Sequence, residues 1–225
     1  MMMNRSFFII LLLCSALVYG QKLDTVPNLP EHYQQRLEKF KTEAVQKSSI
    51  VFLGNSITEG GNWKTLLKDS SLINRGISGD NTFGVLNRIG EVISHKPAKL
   101  FLLMGVNDLS KNIPVEVIFE NILSIVGRIH SGSPGTKVYV QSILPLNATN
   151  EKFPEKFLNH ESDVLIINTQ LRKFASRMKY TYVDLYNEFT DAQGRLDEKY
   201  TTDGLHLNKS GYSHWISVLK REQFL

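Results

Sequence analysis

Two spacings of apolar residues run along this chain. Short apolar runs at residues 50–53, 72–74, 100–104, 137–141 and 181–184 have the length of strands. Longer stretches at 82–94, 115–130, 163–178 and 209–220 repeat their apolar positions at the spacing of an amphipathic helix. A helix between successive strands is a crossover connection, so the five strands are expected to form a parallel sheet with helices on both faces. Runs such as KLFLLMG at 99–105 are apolar without alternation, as suits a strand covered on both sides. A charged amphipathic helix is predicted ahead of the first strand, over residues 30–47. No repeat or linker interrupts the pattern, and one domain over residues 21–225 is expected.

Two segments depart from the rhythm. Residues 144–162 lie between a strand and a helix, hold Pro145 and Pro154, and include NEKFPEKFLNH. A connection longer than about 12–15 residues commonly carries function. Either Phe153, Phe157 and His160 line a substrate pocket, or the segment is a surface excursion packing its own phenylalanines. The other departure is the beginning of the chain. Arg5 precedes an apolar run from Phe7 to Leu13, and Val18 and Gly20 are small residues where signal peptidase reads. Residues 1–20 therefore read as a signal peptide cleaved before Gln21, since the apolar run falls far short of the roughly 20 residues a bilayer requires. A periplasmic or extracellular protein with no stable membrane insertion is expected.

Composition narrows the chemistry further. Cys14, the single cysteine, lies in the leader, so the mature chain has neither disulfide nor thiol chemistry. The net charge of +4 is mild, Arg5 leaves with the leader, and the remaining basic residues are scattered. Nucleic acid is not an indicated partner. No Walker, dinucleotide-binding or zinc-protease motif is present.

Ligands of an open parallel sheet bind beyond the carboxyl ends of its strands, so what each strand delivers there decides the reading. The first delivers GNSIT with Ser56, which alone would serve as a helix cap, a phosphate ligand or a nucleophile. The second delivers NRGISGDNT with Gly79, the third GVND with Asn107, and TTDGLHLNKSG after the last strand brings Asp203 and His206. A serine hydroxyl becomes a nucleophile when a base takes its proton, and His206 is the candidate base. A carboxylate on the other ring nitrogen, here Asp203, sets the tautomer and stabilises the charged ring. The N–H groups of Ser56 and Gly79 and the amide of Asn107 are candidate donors to an oxyanion. Trp63 is read as either a floor to the substrate site or a core residue, and Asp80 and Asp108 as helix caps. His32, His95, His130, His160 and His214 are assigned to solvated faces or helix ends.

The four blocks resemble the SGNH subgroup of the GDSL esterases and lipases, and they extend from Val51 to His206. The family's serine, glycine, asparagine and histidine fall on Ser56, Gly79, Asn107 and His206, and its aspartate falls on Asp203. The resemblance implies a flavodoxin-like three-layer α/β/α sandwich and a serine hydrolase that needs no metal or cofactor. One departure is visible: the first block usually reads Gly-Asp-Ser-Leu, and here Asn55 and Ile57 stand in it. Exported members of this size often deacetylate sugars, which implies an O-acetylated carbohydrate substrate, a sialate or a plant polysaccharide. A lysophospholipase or thioesterase would use the same mechanism, as would an acyltransferase. The residues also allow metal-dependent phosphoester hydrolysis if Asp80, Asp108, Asp203 and His206 converge, and a catalytically silent carbohydrate binder is a further alternative.

Overall fold

A computed structural model of the chain describes residues 30–43, 47, 49–69 and 71–225. The expected signal peptide lies outside the described residues. Strands β1 (Ile50–Gly54), β2 (Leu72–Gly76), β3 (Lys99–Leu103), β4 (Lys137–Gln141) and β5 (Thr181–Val183) form one all-parallel sheet in the order β2-β1-β3-β4-β5. The helices, in chain order, are α1 (Glu31–Thr42), α2 (Ser56–Glu59), α3 (Trp63–Leu67), α4 (Thr82–His95), α5 (Val106–Leu109), α6 (Val115–Gly132), α7 (Glu161–Met178), α8 (Leu185–Phe189) and α9 (Lys209–Arg221). The expected α/β sandwich is the one observed. α1 is shorter than its amphipathic pattern suggested, because Glu43 is already extended. None of the described helices is long and apolar enough to cross a membrane.

Strand register assigns the two faces. Phe52, Phe101 and Tyr139 are paired partners on β1, β3 and β4, and their rings stack at centroid distances of 5.0 and 4.5 Å. Trp63 of α3 lies on Phe52 at 4.1 Å and Trp215 of α9 meets both edge-on, so α3 and α9 cover this face. Such ring pairs contribute about 0.5–1.5 kcal/mol each beyond the area they bury. Trp63 is thus core, only 2% exposed, and not a floor to the site. Neighbouring Arg75 points to the opposite face, where it is fully buried and pairs with Glu91 of α4 and Glu43 beyond α1, with its guanidinium over the Phe40 ring. α4 packs on α6 and α6 on α7.

The strand order has a functional consequence. The chain winds outward from β1 to β2, then returns to β3 on the other side of β1. Loops leaving β1 and β3 therefore diverge above the sheet and open a crevice between them, which is where open α/β sheets bind ligands.

Candidate active site

β1 ends at Gly54, and Asn55 turns the chain directly into α2. The Asn55 side-chain oxygen caps that helix by accepting from the Ile57 N–H at 3.0 Å. Ser56 is the first residue of α2, and its own N–H meets no acceptor among the described residues. Where the family's block usually has aspartate, the acceptor role survives in Asn55. Its buried amide nitrogen has no partner among the described residues.

His206 arrives from beyond β5. Its Nε2 lies 3.0 Å from Ser56 Oγ and its Nδ1 lies 2.7 Å from Asp203 Oδ2. An ionised carboxylate only accepts, so Nδ1 carries the ring proton and Nε2 presents its lone pair to the serine hydroxyl. Burial opposes the charge on Asp203, but hydrogen bonds from the His206 ring and from the His206 and Leu205 N–H groups outweigh it and hold the carboxyl below its ordinary range. The Asp203–His206 turn is tied by Thr201, whose hydroxyl accepts from Gly204 N–H at 2.8 Å and donates to the His206 carbonyl at 2.7 Å. Gly204 has φ +80°, a conformation side chains rarely adopt, and lets four residues fold tightly enough for Asp203 to reach the ring.

The third group sits after β2. Residues 77–80 form a turn closed by Asp80 N–H on the Ile77 carbonyl at 3.1 Å, and Gly79 at its third position has φ +80°, the value of a type II turn, which glycine adopts without strain. The Gly79 N–H, like that of Ser56, meets no acceptor among the described residues. Asn107, on α5 after β3, donates from Nδ2 to the Asp80 carbonyl at 2.8 Å. An amide nitrogen carries two hydrogens, so one fixes the side chain to the Gly79–Asp80 segment and the other is left to donate. Ser56, Gly79, Asn107, Asp203 and His206, named from the sequence, are thereby brought to one edge of the sheet.

A model of the GDSL-like lipase/acylhydrolase family matches residues 52–214. The chain belongs to that family. GDSL acylhydrolases are carboxylic-ester hydrolases, and this chain is one of them. Among solved structures it is similar to a GDSL-like lipase from Bacteroides thetaiotaomicron, with a TM-score of 0.73 and 26% identity over 86% of this chain and 98% of that one. It is 25% identical to the rat (Rattus norvegicus) platelet-activating factor acetylhydrolase IB subunit alpha1, over 75% of this chain and 72% of that protein. It is also 25% identical to an N-acylneuraminate cytidylyltransferase from Escherichia coli, of whose length it spans 43%.

Other sequence readings of this GDSL chain change. Asp80 does not cap α4; Asn81 does, accepting from Gly84 N–H at 3.0 Å. Asp80 turns inward instead, to Arg88 at 2.8 Å, and Arg88 also donates to the Gly54 carbonyl, joining the roots of the Ser56 and Gly79 loops. Asp108 lies inside α5 and reaches across to the N–H and hydroxyl of Thr82. Burial raises its carboxyl to about 6 despite those bonds, with Asp80 adding to the rise. With each carboxylate held by its own donor, no group of three or more His, Cys, Asp or Glu side chains among the described residues is gathered around a common point. The oxygen cluster on which a metal-dependent phosphoesterase would depend is not formed.

Residues 144–162 behave as a brace. Phe157 is 2% exposed and belongs to the core, and His160 pairs with Asp163 at the start of α7. Asn147 N–H donates to the Gly204 carbonyl at 3.0 Å, Asn147 Nδ2 holds Leu196 and Glu198, and Phe153 packs beside Gly204. On the serine side, Tyr212 of α9 donates to the Ile57 carbonyl at 2.8 Å, and Asn74 donates to the carbonyls of Thr58, Glu59 and Gly61. Asn147, Tyr212 and Asn74 were not named from the sequence, because their partners lie 13 or more positions away along the chain. Of the other histidines, His32 is exposed beside Glu59, and half-buried His214 stacks on Tyr200.

Proposed function

We propose that this GDSL acylhydrolase works through an acyl-enzyme on Ser56. The observation that carries the reading is the unbroken hydrogen-bonded chain from Ser56 Oγ through His206 to Asp203. As Oγ bonds to the ester carbon, its proton passes to Nε2, and the imidazolium is stabilised by the Asp203 carboxylate. The carbonyl oxygen becomes an oxyanion facing the N–H groups of Ser56 and Gly79 and the free amide hydrogen of Asn107. Collapse breaks the bond to the alcohol, which leaves with the proton from Nε2. Water then gives its proton to Nε2, attacks the acyl carbon, and the Oγ–carbon bond breaks to release the acid.

The preferred substrate is an acetyl ester of a carbohydrate, with an O-acetylated sialate ahead of plant polysaccharide. Two considerations support it. The His206 side chain is 38% exposed, so the reacting groups open at the surface, where a bulky alcohol portion can extend into solvent. Among the relatives, one is named an acetylhydrolase and another is named for N-acylneuraminate, which is a sialic acid. A mature protein released outside the cytoplasm completes the proposal, resting on Arg5 and the apolar run that follows it.

The test is a panel of p-nitrophenyl esters from acetate to palmitate, followed by O-acetylated N-acylneuraminate and acetylated xylan fragments. Acetate should be preferred, a fluorophosphonate should label Ser56 by mass, and EDTA should leave the rate unchanged. Ser56→Ala should keep the fold and lose several orders of magnitude in kcat, as triad nucleophiles do. Turnover by that variant at the wild-type rate would refute the assignment, and amino-terminal sequencing of the secreted protein would test cleavage before Gln21.

A further inference from the structure

Glu59 closes the same short helix that Ser56 opens, three residues further on. Its Oε2 accepts from the Ser78 N–H at 2.6 Å and from the Ser78 hydroxyl at 2.7 Å, and the residue after Ser78 is Gly79. The carboxylate therefore spans from the helix of Ser56 to the turn that presents the Gly79 N–H. Behind it stands α1. His32 Nε2 meets the same Oε2 at 3.0 Å, and Arg36 Nε lies 3.3 Å from Oε1. Arg36 also donates twice to the Gly76 carbonyl, at 3.1 and 2.8 Å, just before the turn. Six interactions thus converge on two carboxylate oxygens and one carbonyl, and all of them bear on the spacing between two backbone N–H groups.

We propose that Glu59 is a positioning residue for the oxyanion site, fixing the Gly79 N–H against the Ser56 N–H, with His32 and Arg36 of α1 holding the carboxylate in place. This rests on the reading of those two N–H groups as oxyanion donors. Donors of this kind act through preorganisation, so a displacement costs transition-state binding and spares substrate binding. Only a carboxylate suits the position. It must accept on both oxygens, and a neutral amide would turn its NH2 group toward either the Ser78 donors or the Arg36 guanidinium. Burial opposes the charge on Glu59, but the hydrogen bonds from His32 and Ser78 and the nearby guanidinium outweigh it and hold the carboxyl below its usual range.

The experiment compares wild type, Glu59→Gln, Ser78→Ala and Ser56→Ala on p-nitrophenyl acetate. It also measures inhibition by an alkylboronic acid, which forms a tetrahedral adduct with an active serine. Glu59→Gln should lower kcat about tenfold with KM within about twofold, and should weaken the boronate by a similar factor, because both read the oxyanion site. Ser78→Ala leaves both helices and the backbone bond intact; it should show the same split at about threefold, and so serves if Glu59→Gln does not fold. The Glu59→Gln and Ser78→Ala losses should not multiply in the double variant, since both act through one contact. Unchanged kcat and boronate affinity in either soluble variant, or losses confined to thermal stability, would overturn the proposal. Ser56→Ala separates the two levels: if it is inactive while Glu59→Gln is fully active, only the role of Glu59 fails. If Ser56→Ala is active, the acyl-enzyme reading fails first.

Discussion

Gly79 and Gly204 offer a matched pair of perturbations. Both have φ +80°, so a methyl group imposes the same backbone strain at each. Their surroundings differ completely. A Cβ on Gly79 meets nothing within 4 Å, whereas a Cβ on Gly204 falls 2.4 Å from the Asn147 carbonyl oxygen and 2.9 Å from Phe153 Cδ2. Gly79→Ala should therefore cost only the left-handed strain, roughly 1–2 kcal/mol less a few tenths regained from the stiffer unfolded chain. Gly204→Ala carries the same strain plus overpacking of about 1–3 kcal/mol. The Asn147 carbonyl cannot step aside freely, because the Asn147 N–H is bonded back to the Gly204 carbonyl. Giving up that bond would cost about 1 kcal/mol more.

Urea unfolding should thus show Gly204→Ala less stable than Gly79→Ala by about 2 kcal/mol. Ester hydrolysis should not follow stability at Gly79. Gly79→Ala puts a methyl group beside a backbone donor that faces the reaction, and its kcat/KM should fall by more than its small loss of stability explains. Equal unfolding free energies for the two variants would refute the claim that residues 147–153 brace the Asp203–His206 turn.

Two further predictions concern the interior of the site. Asn107→Ala should lower kcat about 10²–10³-fold if its free amide hydrogen serves the oxyanion. A loss under about tenfold, measured on a variant with unchanged melting temperature, would confine Asn107 to bracing the Asp80 carbonyl. Asp108 should make stability depend on pH. Its carboxyl is raised by burial to about 6 in the folded protein, so between the unfolded value near 4 and that point the folded state holds a proton the unfolded chain has lost. Stability contributed by Asp108 is present below about pH 4 and is lost as pH rises through about 6, by at most about 3 kcal/mol. Asp108→Asn should flatten this part of the curve in urea titrations at pH 4.5 and 7. Asp80 is raised in the same direction by burial, so the difference between the proteins is the quantity to read. Identical slopes would contradict the burial argument.

The fold was legible because each buried strand is a short apolar run set between helical stretches; apart from α1, which ends five residues early, the strand and long-helix ends differ from the pattern by no more than two residues. α2, α3, α5 and α8 escaped it because four or five residues are too few to show a helical period. The residues carrying the chemistry could be named because each follows a strand. Their supports could not. Asp80 stands where a cap would stand, but a sequence does not show which of two adjacent side chains turns toward the helix, and Asn81 takes the place. Arg88 finds its partners only once β1 and β2 are side by side. Glu59, Asn147 and Asn74 likewise acquire their roles from loops 13 to 57 positions away. Phe153 and Phe157 were ambiguous for the same reason, since a pocket wall and a packed brace have the same composition.

The geometry divides the site into two halves held by different means. Ser56, Gly79 and Asn107 follow β1, β2 and β3, which are adjacent strands in fixed register. The relative positions of these three groups are set by the sheet and refined by Arg88, Asn107 and Glu59. Asp203 and His206 have no strand beneath them; they follow the edge strand β5 and must return across the ends of β4 and β3 to reach Ser56. That return relies on bridges at Thr190–Leu196 and Thr201–Leu207 and on the Asn147 brace. Damage to the brace should therefore separate the imidazole from the hydroxyl while leaving the oxyanion donors in place. Asn147→Ala keeps the backbone N–H on the Gly204 carbonyl but removes the side-chain bonds to Leu196 and Glu198 that seat the brace, so it should lower turnover yet keep a weakened, not abolished, reaction with a fluorophosphonate. Loss of sheet register would remove both together.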